Sequence, residues 1–281
     1  MKERDMPRGV YARKSTKIDP IEAVASVVRE TDEQIEERIG ERFQILDLLT
    51  ENCINGNSRA LIVSGPAGLG KSYTVEQQLS KWDPSGVNYA ITKGYVRPTG
   101  LVKLLYAYRE AGQVLVFDDA DAIFFDDVSL NLLKAVCDTT ERRVVSWLSE
   151  GRLLDEDSGE IVPRSFEFEG TIIFISNYDF DAMIGRGHKL APHLQAMISR
   201  AHYLDLAMKT RHDYLVRIRQ VVAQGLLSHL DIDEQVDVLT FIEAHADSLR
   251  ELSLRMALKV AGIRKMQNTN WEKVAKITCC A

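Results

Sequence analysis

The sequence predicts an α/β fold: a parallel sheet flanked by helices, followed by a smaller helical region at the C-terminal end. Three observations carry this. The apolar runs Ala60 to Val63, Val114 to Phe117 and Ile172 to Ile175 are continuous rather than alternating, the pattern of strands buried on both faces. Helix-compatible stretches separate such runs, and strand–helix alternation builds a parallel sheet. The first run leads directly into Gly65-Pro66-Ala67-Gly68-Leu69-Gly70-Lys71-Ser72, a complete G-x-x-x-x-G-K-[ST] phosphate loop, so the expected class is the P-loop NTPase sheet.

In chain order, residues 1–35 are polar, charged and poorly periodic, and read as a flexible charged arm running into a helix. From Ile35 the apolar residues Ile39, Phe43, Leu46 and Leu49 follow at helical spacing. Asn55-Gly56-Asn57-Ser58 breaks that helix before the first strand. Tyr73 to Trp82 supplies the helix after the phosphate loop, and Val87 to Thr92 the second strand. The segment from Gly94 to Gly100 is then a loop and Leu101 to Ala111 a helix. Gln113 to Phe117 is a strand delivering two carboxylates, Asp118 and Asp119. A helix around Leu130 to Asp138 precedes a hairpin over residues 143–168. There Val144 to Trp147 faces Ser165 to Phe168, with turn chemistry in Asp155-Glu156-Asp157-Ser158-Gly159 and Pro163 weakening the return strand. Thr171 to Asn177 is a further buried strand with a polar end. From Met208 onward helical stretches dominate. The expected domains are the arm (1–35), a P-loop domain (36–206) and a helical lid (207–281).

Bulk properties narrow the class. A length of 281 residues suits one large α/β domain with a small accessory one. No apolar run approaches the ~20 residues of a membrane span, and MKERDMPRGV lacks a signal-peptide core. Cys53, Cys137, Cys279 and Cys280 form no C-x-x-C pair, so a reducing, cytoplasmic setting is expected. The net charge of −6 excludes a protein coated in positive charge. Basic residues nonetheless gather in the first twenty positions, between Arg186 and Arg219, and between Arg255 and Lys276. Such patches suit phosphate contacts, and they suit solvated helix faces equally.

Parallel sheets place ligands at the carboxyl ends of their strands, where the phosphate loop, Asp118-Asp119 and Asn177 all fall. The loop's backbone N–H groups and the following helix N-terminus are expected to surround phosphate oxygens. Lys71 then reaches the β- and γ-phosphates, and the Ser72 hydroxyl with Asp118 forms a Mg²⁺ site. Asp119 is placed to orient or deprotonate an attacking water, and Asn177 to hold that water or the γ-phosphate. For Asp121 and Asp126-Asp127, loop solvation or helix capping is sufficient explanation.

The order of these elements resembles the AAA+ ATPase family, over roughly residues 36–265. The matching positions are the Walker A loop Gly65 to Ser72, Walker B Asp118-Asp119, sensor-1 Asn177, an arginine finger at Arg200 and a sensor-2 arginine at Arg255. Arg200, in Met197-Ile198-Ser199-Arg200-Ala201, resembles the family's Ser-Arg finger, which implies an oligomer in which it reaches a neighbour's ATP. Arg250 competes with Arg255 for the sensor-2 role. The family usually carries Glu after the Walker B aspartate. Asp119, shorter by one methylene, puts fast hydrolysis in question more than binding.

The resemblance implies ATP and Mg²⁺ as cofactors and a homo-oligomer, ring or spiral, hydrolysing ATP at subunit interfaces. The chain looks like the small stand-alone members found in phages and mobile elements, with nucleic acid or a nucleic-acid-bound protein as target and no membrane partner. Tyr95 and Val96 fall where many members carry a pore loop, and Arg97-Pro98 reads equally as an ordinary turn with Tyr95 packed. Arg142 and Arg143 read as inter-subunit contacts or as plain solvated charges. The alternatives are a slow ATP-dependent assembly switch, loader or adaptor, and, more remotely, a P-loop small-molecule kinase.

Overall fold

The computed structural model of the chain describes residues 30–149, 151–155, 159–206, 208–266 and 270–281. The basic residues of the first twenty positions and Glu156-Asp157-Ser158 of the expected hairpin turn lie outside them.

Helix α1 (Asp32–Ile54) opens the described chain and leads to strand β1 (Ala60–Ser64). It begins at Asp32, three residues before the apolar spacing that starts at Ile35. Asp32 and Glu33 place negative charge in its first turn, where the helix dipole favours it. Asp32 is further held by His212 at 2.6 Å and Arg219 at 2.8 Å, contacts from far along the chain that no local pattern announces.

After β1 come α2 (Lys71–Trp82), β2 (Tyr89–Lys93), α3 (Pro98–Ala107) and β3 (Val114–Asp118). A 3-10 turn (Asp121–Phe125) leads to α4 (Asp127–Val136), whose N-cap is Asp126, accepting from the Ser129 N–H. The helix expected at Leu130 to Asp138 therefore starts earlier, and the capping explanation of Asp126 holds. Next are the short strands β4 (Val144–Ser146), β5 (Leu153–Leu154), β6 (Ile161–Val162) and β7 (Ser165–Glu167), then β8 (Thr171–Ser176). β4 pairs antiparallel with β7, Val145 opposite Phe166, and β5 with β6.

Helices α5 (Phe180–Gly185) and α6 (Ala191–Ile198) then lead to β9 (His202–Asp205). The main sheet has five strands in the order β2-β3-β8-β1-β9, and every pairing in it is parallel. Two details differ from the sequence reading. β9 is an additional edge strand, and β2 starts at Tyr89 because the Asp83 carboxylate captures the Asn88 N–H at 2.7 Å.

The central strands β1, β3 and β8 are buried at every position, and successive residues serve opposite faces. Ala60, Ile62, Leu115, Phe117, Ile172 and Phe174 pack into one core with α3, α4 and α6. Leu61, Val63, Val114, Val116, Ile173 and Ile175 pack into another with α1 and α2. The protein is thus a three-layer α/β P-loop fold.

A separate apolar cluster unites α7 (Arg211–Ala223), α8 (Ile232–Ala244), α9 (Leu254–Arg264) and α10 (Trp271–Cys279). Buried Asp213 anchors α7 to the sheet side, accepting from Arg38 of α1 at 2.9 Å. No described helix is long and apolar enough to cross a membrane.

Candidate functional site

Strand β1 ends at Ser64 and the chain turns through three glycines with positive φ: Gly65 at 149°, Gly68 at 75° and Gly70 at 100°. Side chains rarely adopt these values, and two of the positions are also crowded. A Cβ on Gly68 would come within 2.6 Å of Ser253 Cβ, and one on Gly65 within 3.2 Å of Leu206. The loop is therefore clasped between the strand β9 end and the start of α9. The Leu254 N–H donates to the Gly68 carbonyl at 2.9 Å, so the helical region docks directly on the phosphate loop.

Lys71, buried at the first position of α2, donates from Nζ to the carbonyls of Gly65 and Pro66 and, at 3.0 Å, to Asn177 Oδ1. Burial pushes its pKa down to about 8, against the pull of Asp119 and Asp118. Asn177 follows β8 and donates through Nδ2 to Asp119 Oδ1 at 2.7 Å. Sheet register thus brings residues more than a hundred positions apart into one chain, Lys71 to Asn177 to Asp119.

Asp119 is the sole described non-glycine residue with positive φ, at 53°. Asp and Asn visit this left-handed region more readily than residues with longer side chains. The shorter carboxylate that departs from the family pattern is therefore matched to its backbone. Its N–H is fixed to the Ile175 carbonyl at 3.0 Å.

Ser72 Oγ donates to Asp118 Oδ1 at 2.7 Å, and the other Asp118 oxygen meets Lys93 Nζ at 3.3 Å. A hydroxyl beside a buried carboxylate is a hard, oxygen-only donor pair that fits Mg²⁺, which takes few protein ligands and completes its shell with water and phosphate. No cluster of three or more His, Cys, Asp or Glu with metal-holding geometry exists among the described residues, so a dedicated protein cage is not what these residues form. Asp121 stands nearby with Oδ1 buried and without a partner. Burial pushes its carboxyl up, opposed by a hydrogen bond from Ser176.

Gly68, Gly70, Lys71, Ser72, Asp119 and Asn177 line one cleft of about 470 Å³ that also takes Arg255, Arg217 and Leu258 from the helical region, while Asp118 stands behind it on Ser72. Arg255 is the sensor-2 candidate that reaches the cleft, where its charge acts on Lys71. Arg250 instead donates from Nε to the Cys280 carbonyl at 3.1 Å. Arg200 stands outside the cleft of its own chain, just after α6, donating to the Ala196 carbonyl at 2.8 Å. Tyr95 is 74% exposed and Val96 packs in its place, which corrects the packed-Tyr95 alternative. Arg142 forms a paired contact with Glu167. That contact lies at the surface, with Arg142 75% exposed, whereas Arg143 is buried and donates to the Val136 carbonyl, so only Arg143 departs from a plain solvated charge. Arg217 belonged to a basic stretch in the sequence without being distinguished, since its environment depends on α1.

No protein-family model matches the chain. Over 272 residues it is 38% identical to an uncharacterised 36.7 kDa protein of the nrdC-mobD intergenic region of Enterobacteria phage T4, covering 95% of this chain and 82% of that one. Among solved structures, a point mutant of Thermotoga maritima RuvB is 15% identical with a TM-score of 0.50, over 89% of this chain and 72% of that one. The Thermotoga maritima RuvB Holliday junction branch migration motor is 17% identical with a TM-score of 0.47, over 86% and 68%. NtrX from Brucella abortus in complex with ATP is 16% identical with a TM-score of 0.44, over 82% of this chain and 50% of that one.

Proposed function

The chain belongs to the same family as the phage T4 36.7 kDa protein, and we propose, from its own site, that it is an AAA+ ATPase of phage or mobile-element type. It binds ATP with Mg²⁺ and hydrolyses it at interfaces between identical subunits. The observation that carries this reading is the convergence of Lys71-Asn177-Asp119 with Ser72, itself bonded to Asp118, in one cleft that Arg255 lines from the helical side.

The residues divide the work as follows. The positive-φ loop turns its N–H groups inward around the phosphates, and Lys71 exchanges its carbonyl partners for phosphate oxygens. Ser72 and Asp118 hold Mg²⁺. When bound, it neutralises charge developing across the phosphates. Asn177 holds Asp119, and through it the water that attacks the γ-phosphorus. The bond to the β-γ bridging oxygen breaks, ADP and inorganic phosphate leave, and the water's proton passes to Asp119 or to solvent. Arg255 reports occupancy to the helical region. Arg200, lying outside its own cleft, is the finger offered to the next subunit. A ring or spiral is the assembly that uses it, in the cytoplasm, acting on nucleic acid or a nucleic-acid-bound protein.

A second reading, a slow ATP-dependent switch or loader, draws on one observation: Asp119 is committed to Asn177 on a restricted backbone. Steady-state hydrolysis tests both. Turnover in wild type that is lost in Asp119→Asn and Arg200→Ala, and partly restored when those two variants are mixed into one oligomer, supports the ATPase. Nucleotide-dependent assembly with no wild-type turnover supports the switch. Absence of ATP binding by wild type would overturn both.

A further inference from the structure

Arg217 lies on α7, 6% exposed, in the wall of the nucleotide cleft. Its guanidinium carbon stacks 3.6 Å from the centroid of the Phe43 ring, and Nη1 donates to Gln220 Oε1 at 2.7 Å. Nε is buried with no hydrogen-bond partner, and no described carboxylate pairs with the group. Stacking on an aromatic face offsets only a small part of what burying an ion costs. The arrangement is out of balance unless an anion completes it.

The position of the other nitrogen says where that anion lies. Arg217 Nη2 is 3.8 Å from where a Cβ on Gly70 would stand, and Gly70 is the N-cap of α2. The N–H groups that begin such a helix cradle the α- and β-phosphates. Arg255 sits at a different point of the loop, its Cγ 3.8 Å from the corresponding position on Gly68. Resting on the nucleotide-binding reading, we infer that Arg217 is a second arginine of the helical region in the site, a clamp on the α- and β-phosphates shared by ATP and ADP.

Two consequences separate this role from that of a γ-phosphate sensor. Hydrolysis does not release Arg217, so α7 stays tied to the loop in the ADP state. Moreover, the arginine burdens the nucleotide-free fold, and removing it relieves an uncompensated charge. Burial already holds its pKa down to about 10.

The test is isothermal titration of the full chain with MgATP and MgADP, in wild type, Arg217→Met, Arg217→Lys and Lys71→Ala, with melting curves of each free protein. Charge-assisted hydrogen bonds of this kind correspond to about 10- to 100-fold in affinity. Arg217→Met is expected to weaken ATP and ADP by the same factor within that range, with a free-protein melting temperature no lower than wild type. Arg217→Lys, keeping charge without the planar fork, falls between. ADP affinity within twofold of wild type overturns the inference, as does a loss confined to ATP. A Met variant that melts well below wild type or fails to fold also overturns it, since the arginine is then a structural element. If wild type binds neither nucleotide, the nucleotide reading itself fails. If wild type binds, Lys71→Ala does not and Arg217→Met binds normally, this inference alone falls.

Discussion

Replacing Gly68 with alanine isolates the joint between the phosphate loop and the helical region. Gly68 has φ +75° and its added Cβ would stand 2.6 Å from Ser253 Cβ. The left-handed conformation costs a non-glycine residue about 1–2 kcal/mol, and forcing a methyl into a packed contact costs about 1–3 kcal/mol. Together they predict a loss of about 2–5 kcal/mol. Gly56 provides an internal control: its φ is +72° and nothing lies within 4 Å of its added Cβ. Gly56→Ala should therefore lose only the conformational part, about 1–2 kcal/mol. Urea unfolding of both variants without nucleotide measures the difference. Because Ser253 caps α9 by accepting from the Met256 N–H, displacing it moves Arg255, and Gly68→Ala should also weaken ADP binding while Gly56→Ala does not. Equal losses of stability in the two variants would refute the argument, because the clasp would then contribute nothing.

Lys71, with its pKa held at about 8 by burial, gains phosphate partners on binding, so the bound state holds more protons above that pH. Affinity for nucleotide should fall as pH rises through 8, about tenfold weaker at pH 9 than at pH 7, with close to one proton taken up at pH 9. Calorimetry in buffers of different ionisation enthalpy reads that uptake, and a flat profile would contradict it. In the free protein the sign is opposite: the penalty of the buried ammonium is present below about pH 8 and is relieved toward the ordinary value of 10.5. Asp119→Glu, although it introduces the residue usual in the AAA+ ATPases that the sequence resembles, should lose about 1 kcal/mol of stability at φ 53° and should not accelerate turnover. Asp119→Asn should be within about 0.5 kcal/mol of wild type. A faster Glu variant in an ATPase assay would show that the backbone does not select the shorter side chain.

What the sequence made legible follows from what packing demands. β1, β3 and β8 are buried throughout, so their apolar runs are uninterrupted and their polar ends stand out as site residues. β9 offers no such signal. It is a four-residue edge strand, His202 to Asp205, with one buried position, and it forms because β1 presents a free edge. Arg255 and Arg250 are equivalent by local pattern, and only the placement of α10 turns Arg250 toward Cys280. Arg217 was hidden for the same reason. Its stacking partner, Phe43, is on α1, and the face of α7 that meets it is set by tertiary packing.

Lys93 closes β2 against Asp118 and, at 3.8 Å, Glu76. Its ammonium stands beside the carboxylate that a divalent ion would seek, on a side chain that is more than half exposed. Entry of a metal ion would then exchange one cation for another and not fill a bare anion. The electrostatic attraction available to the incoming ion is reduced by the departing one. Were such an ion to bind there, one already carried by phosphates would meet less opposition than a bare one.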